Sequence, residues 1–136
     1  MRTTKFIAGE YYHIYNRGAD KKDVFLDHSD YRRFLISLRE LNQKGEVLNL
    51  RRRFLTEARL QSRETGLSQL VDITCFCLMP NHFHLILQQL VEGGVPLFMH
   101  KLGTSYTKYF NKKYDRTGVL FQGACKAKHI ENETYL

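Results

Sequence analysis

Residues 78–86 read LMPNHFHLI. Two imidazoles, His82 and His84, flank Phe83 at the head of an otherwise apolar run. Side chains alternate faces along a strand, so His82, His84, Ile86 and Gln88 share one face, and Phe83, Leu85, Leu87 and Gln89 share the other. The second set reads as core. The first carries its most polar groups beside the preceding turn. Imidazoles two residues apart on a strand have Cβ atoms roughly 7 Å apart, twice the rise per residue. Both Nε2 atoms can then converge on one divalent ion at about 2.0–2.1 Å. Imidazole ligands suit Mn, Zn, Co or Ni, and a hard third ligand would favour Mg or Mn. The motif is short, and two half-buried histidines bonded to backbone or water would read the same way.

Cys75 and Cys77 alternate on the preceding segment. If Pro80 and Asn81 form a two-residue turn, Met79 pairs with His82, Leu78 with Phe83 and Cys77 with His84. That register puts cysteines and histidines on one face, where a structural Cys2His2 zinc site is an alternative. The C-x-C and H-x-H spacings are tight for zinc, and four ligands on one sheet face would be poorly tetrahedral. Small cysteines filling space under a helix are the simpler reading.

The elements that must hold these residues follow from periodicity and turn chemistry. Residues 71–78 and 82–90 read as two strands of a hairpin. An earlier strand is expected over 5–16, KFIAGEYYHIYN, ending at Asn16-Arg17-Gly18. His13 lies on it near Asn16 and could face the histidine pair, but a satisfied structural histidine is the simpler reading. A helix follows over 26–45: Tyr31, Phe34, Leu35, Leu38 and Leu41 recur at helical spacing, Asp27 or Ser29 can cap it, and Gly45 can close it. Residues 46–70 suggest a second amphipathic helix around Leu50, Phe54, Leu55 and Ala58. A further helix is expected over 96–114, with Pro96 in its first turn and a buried stripe of Leu97, His100 or Lys101, Tyr106, Tyr109 and Phe110. A last strand is read over 119–130, and residues 131–136 as the start of a helix. Strands joined by a hairpin and by helical crossovers predict an α+β fold with helices on an antiparallel sheet.

A length of 136 residues fits one domain, 1–136, without a second core. Lys and Arg number 21 against 14 Asp and Glu, a net charge of +7, which favours polyanionic partners, nucleic acid first. Three cysteines are an odd count, so no disulfide framework is read, and a reducing cytoplasm is the simplest compartment. The first residues have no signal-peptide apolar core, and no apolar run is long enough to span a membrane.

Three blocks carry a resemblance: YYHIYNRG at 11–18, CLMPNHFHLIL at 77–87 and SYTKYFNKKYDRTGVLFQGACKAKHIENETYL at 105–136. In this order they resemble the HUH-type single-tyrosine transposases of the insertion-sequence kind, including the REP-associated tyrosine transposases. The resemblance covers about residues 9–45 and 71–136, and 46–70 reads as a family-atypical insertion. It implies a ferredoxin-like fold with helices packed mainly on one face of a central antiparallel sheet. It implies an endonuclease and strand-transfer enzyme of mobile elements that cleaves and rejoins single-stranded DNA beside hairpins through a 5′-phosphotyrosine. It makes His82 and His84 the metal ligands, with Mg2+ or Mn2+ as the ion. The family's nucleophile lies on a helix after the last strand, one helical turn before the third ligand. By that pattern it falls just past Leu136, so the domain reads as C-terminally incomplete, and Tyr135 is the nearest tyrosine this chain offers. Compact members are dimers and REP-associated members monomers, which leaves a homodimer open.

Arg17, Lys101, Lys108, Lys112, Lys113, Arg116, Lys126 and Lys128, with Arg51, Arg52 and Arg53, are the expected DNA contacts. Tyr and Phe interleave with them, which suits phosphate contact combined with base stacking. A non-catalytic nucleic-acid-binding module is the alternative to an enzyme.

Overall fold

The computed structural model describes residues 4–45 and 69–132. Strand β1 spans Tyr11–Arg17, helix α1 His28–Glu40, β2 Val71–Met79, β3 His82–Gln89, helix α2 Gly94–Lys113 and β4 Lys126–Ile130, with a short 3-10 turn at Ala19–Lys21. The strands form one sheet in the order β2-β3-β1-β4, with all three pairings antiparallel. With a helix in each of the two crossovers, this is the ferredoxin-like arrangement.

Both helices pack on one face. Tyr12 and Ile14 of β1 and Phe83, Leu85 and Leu87 of β3 point into it, meeting Phe34 and Leu38 of α1 and Phe98, Leu102, Tyr106 and Phe110 of α2. Alternation in β3 is strict, every second residue from Phe83 being buried. Asp27 caps α1, its side chain accepting from the Asp30 N–H at 3.1 Å. No side chain caps α2 at Gly93, but buried Gln89 accepts the Val95 N–H at 3.0 Å, which satisfies one of the orphan donors of the first turn.

The observed elements correct several expectations. The first strand begins at Tyr11, and Phe6 packs edge-on against Tyr12 at 4.8 Å without joining the sheet. Helix α1 ends at Glu40 with Leu41 as its C-cap, so Gly45 does not close it. Asn42, just beyond, bonds to the β2 entry: it donates to Val71 O at 2.7 Å and accepts from Leu70 N and Val71 N at 2.9 and 3.0 Å. The buried row of α2 is Phe98, Leu102, Tyr106 and Phe110, whereas Leu97 is 40% exposed and His100 is exposed. Apolar residues occur on more than one side of α2, and packing against the sheet selected the i, i+4 row that presents the most aromatic surface. The last strand begins only at Lys126. Gly118 at φ 90° and Gly123 at φ 69° adopt left-handed conformations, which turn the chain where an extended strand was expected. Residues 131–132 are not helical. The helix expected within 46–70, Arg51, Arg52, Arg53 and Tyr135 lie outside the described residues. Among the described residues no helix is long and apolar enough to cross a membrane.

Candidate functional site

The opposite face of the sheet carries His82 and His84. The hairpin has the register that the two-residue turn demands: Met79 pairs with His82, Leu78 with Phe83 and Cys77 with His84. The turn is clamped from the β1 side. Gly18 N donates to Asn81 O at 2.9 Å, Val24 N and Phe25 N donate to Pro80 O at 2.7 and 3.1 Å, and the Asn81 amide donates to Lys21 O at 3.3 Å. Asn81, which the sequence suggested only as a turn residue, also orients a histidine: its Oδ1 accepts from His82 Nδ1 at 2.8 Å.

His84 is held by a third imidazole. His13 Nε2 and His84 Nδ1 share a hydrogen bond of 2.9 Å, with ring centroids 5.1 Å apart. Register places Tyr15 opposite His84 and His13 opposite Ile86, so His13 reaches His84 diagonally across the β1–β3 ladder. Tyr15 stacks on His84 at 5.8 Å. The rings of His82 and His84 are 5.3 Å apart and nearly perpendicular, at 89°. Because Nδ1 is bonded in both rings, Nε2 is the remaining nitrogen of each. Burial, then the neighbouring His82, lowers the His84 pKa, and burial, then His84 and Lys128, lowers that of His13. Both shifts favour neutral imidazole, the form in which a histidine can ligate a metal.

His82 and His84 line a cleft of about 300 Å³ with Tyr15, Asn16, Arg17, Gln122 and Lys126. Arg17 is fixed to the loop before β4: its Nε donates to Gln122 Oε1 at 2.5 Å and its carbonyl accepts from Gln122 N at 2.9 Å. Lys126 pairs in register with Tyr15, and Lys128 with His13, so both stand on the histidine face. The cleft thus offers two nitrogen donors at one end and two cationic side chains around them. Among the described residues no group of three His, Cys, Asp or Glu side chains gathers to hold a metal. The two histidines could supply part of a ligand set, their Nδ1 atoms being hydrogen-bonded to Asn81 Oδ1 and His13 Nε2.

The zinc alternative is not assembled. Cys77 does face His84 in the register that alternative needs, but among the described residues the cysteines and histidines do not gather into a group of three or more that could hold a metal. Cys75 and Cys77 are exposed free thiols and do not fill space beneath a helix, because α1 and α2 pack on the other face.

The remaining basic residues expected at DNA are not drawn to the cleft. Lys101 donates to the carbonyls of Gln43 and Gly45 beyond α1. Lys113 pairs with Asp27 and Asp30 at 2.8 and 2.9 Å. Arg116 donates to Asn111 Oδ1 at 2.6 Å and to Val119 O at 3.1 Å. Lys108 and Lys112 are exposed on α2, in the helical layer. Tyr106 sits in the core and donates to Val24 O at 2.5 Å, and burial above all pushes its pKa up, so its hydroxyl is no nucleophile. Tyr109 and Tyr114 both donate to Asp30.

No curated protein matches the chain. Among solved structures it is similar to a REP-associated tyrosine transposase bound to a REP hairpin, with a TM-score of 0.58 at 13% identity, over 99% of this chain and 64% of that one. The chain therefore spans less than two thirds of that protein's length, and the likeness is one of fold. A family model described as IS200-like transposase matches residues 8–135, nearly the whole sequence. With the histidine pair on the open face of a ferredoxin-like sheet, this match settles the assignment: the chain belongs to the IS200-like transposase family.

Proposed function

We propose that the open sheet face binds single-stranded DNA beside a hairpin and takes part in its cleavage and rejoining through a 5′-phosphotyrosine. Family membership implies a DNA-cleaving enzyme in general and a divalent ion as its usual cofactor. The observation that carries the finer reading is the pair of oriented imidazoles, His82 and His84, in one cleft with Arg17 and Lys126. His82 and His84 would hold Mg2+ or Mn2+ through Nε2. When bound, the ion supplies charge neutralisation at the scissile phosphate.

The chain's own groups do the rest. Arg17 and Lys126 bind the phosphates on either side of the scissile one, and Lys128 extends this positive track along β4. Tyr15 offers a ring against which a base can stack. A tyrosine hydroxyl attacks phosphorus. The new O–P bond replaces the P–O3′ bond, and the leaving 3′-oxygen takes up a proton. The phosphotyrosine retains the energy of the broken phosphodiester, so a second 3′-OH can reverse the step without ATP. Tyr135, the chain's candidate for this hydroxyl, lies outside the described residues. The neighbour's REP hairpin makes a hairpin-flanked strand the natural substrate to try.

The test uses labelled single-stranded hairpin DNA, Mn2+ and the chain continued past Leu136 far enough to carry the tyrosine that the family pattern places there. A covalent protein–DNA adduct and a nicked product are expected, both lost with a chelator and in His82→Ala. Binding that survives both treatments, with no adduct, would replace the enzyme by a non-catalytic binding module.

A further inference from the structure

We infer that His13 is a positioning residue for His84: its Nε2 accepts the Nδ1–H of His84 and thereby turns the Nε2 of that ring toward a divalent cation in the cleft. The inference rests on the reading of His82 and His84 as ligands. A neutral imidazole carries one N–H, and the nitrogen that ligates must be bare. If Nε2 ligates, the proton sits on Nδ1 and needs an acceptor. For His82 that acceptor is Asn81 Oδ1 at 2.8 Å. For His84 the partner within reach is His13 Nε2 at 2.9 Å. The two ligands are thus oriented by different means, one by its own turn and one by a neighbouring strand.

The placement is built into the sheet. His13 stands on central strand β1, between β3 and β4, opposite Ile86 on one side and Lys128 on the other. Tyr15, two residues on, packs 4.9 Å from His13 and 5.8 Å from His84, so the three rings form one cluster on the open face. A rotation of His84 away from the cleft would break the bond to His13 and the stack on Tyr15 together. An imidazole acceptor also differs from the carboxylate often found behind a metal-bound histidine. It orients the ring without adding negative charge beside a phosphate-binding cleft.

Two measurements on the full chain test this. In metal-free protein in mildly alkaline buffer, 15N spectra of the histidine rings should show His84 as the Nδ1–H tautomer. In His13→Ala that tautomer should give way to Nε2–H, and in His13→Gln, whose amide oxygen can accept, it should be kept. Mn2+ affinity, read by electron paramagnetic resonance, should fall about 10–100-fold in His13→Ala and largely recover in His13→Gln. Circular dichroism confirms that each variant is folded. A His13→Ala protein that keeps the Nδ1–H tautomer and binds Mn2+ like the wild type overturns the proposal. His82→Ala separates the two readings. If it loses Mn2+ while His13→Ala does not, the ligand reading stands and the positioning role falls. If it binds Mn2+ unchanged, the ligand reading fails and the proposal fails with it.

Discussion

Tyr114 donates its hydroxyl to Oδ2 of Asp30 at 2.6 Å, joining the end of α2 to the first turn of α1 across 84 residues of chain. Tyr109 and Lys113 donate to Oδ1 at 2.7 and 2.9 Å, and Leu26 N to Oδ2 at 2.9 Å. One buried carboxylate on α1 therefore collects four donors, three from the end of α2 and one from the loop before α1. Asp30→Ala leaves two phenols and the Leu26 N–H without their acceptor and, among the described residues, Lys113 with Asp27 as its one carboxylate partner, and should cost about 3 kcal/mol. Thermal unfolding checks this, with a fall of about 10 °C expected and little change in the affinity of the cleft for Mn2+.

The same cluster predicts a pH dependence. Hydrogen bonds from Lys113, then Ser29, hold the Asp27 carboxyl at about 2 against an ordinary 3.8. Burial would raise Asp30, but hydrogen bonds from Tyr109, Tyr114, Leu26 N and Lys113 outweigh it and leave it lowered. Burial would lower Lys113, but its bonds to Asp27 and Asp30 outweigh that and raise it above 10.5. Depressed carboxylates contribute stability above their unfolded pKa and lose it as pH falls through the folded one. A raised ammonium contributes below its unfolded pKa and loses that only on the alkaline side. The cluster's contribution should be flat between about pH 4 and 10 and fall away toward pH 2. Unfolding of wild type and Asp30→Ala across pH checks it: the difference between them should shrink on acidification.

On the two faces of β3, neighbouring residues should behave oppositely. Phe83 is 2% exposed and packs on Phe34 and Phe121 at 5.2 and 5.6 Å. Phe83→Ala should cost about 3–5 kcal/mol. His82→Ala, one residue away on the open face, should change stability by less than about 1 kcal/mol while removing Mn2+ binding. Urea titration and Mn2+ titration of both variants separate packing from ligation.

Basic residues should sort by position in the same way. Arg17→Ala and Lys126→Ala should each reduce the salt slope of single-stranded DNA binding by about 0.7. Lys113→Met should leave that slope unchanged and lower thermal stability, because its charge already faces Asp27 and Asp30. DNA affinity measured over a range of salt concentrations decides between these outcomes. Equal slopes for all three variants would place the DNA elsewhere.

Gly18 should prove intolerant. A Cβ there would lie 2.1 Å from Lys22 O and 3.0 Å from Val24 Cγ1. Gly18 N also donates to Asn81 O, the residue that orients His82. Gly18→Ala should cost about 1–3 kcal/mol and weaken Mn2+ binding through the displaced turn. Unchanged Mn2+ affinity in a folded variant would show that the turn is oriented by other contacts.

The sequence by itself determined the local geometry of this protein. Alternation put Phe83 and Leu85 inside and His82 and His84 outside, Pro80-Asn81 set the hairpin register, and Asp27 or Ser29 marked the start of α1, where Asp27 is the cap. These are signals carried within a few residues, by a period of two or by one cap. Tertiary structure alone decided which distant side chains meet. His13 reaches His84 across 71 residues because sheet order sets β1 against β3. Arg17 reaches the histidine face because β1 pairs with β3, and Lys126 and Lys128 because β4 pairs with β1. Lys101, Lys113 and Arg116 instead hold backbone, carboxylates and a loop, because packing fixed the rotation of α2 about its axis and the sequence left several apolar rows to choose from. A charge or an imidazole is visible in one dimension. Its partner is set by strand order and helix rotation, which depend on the whole core.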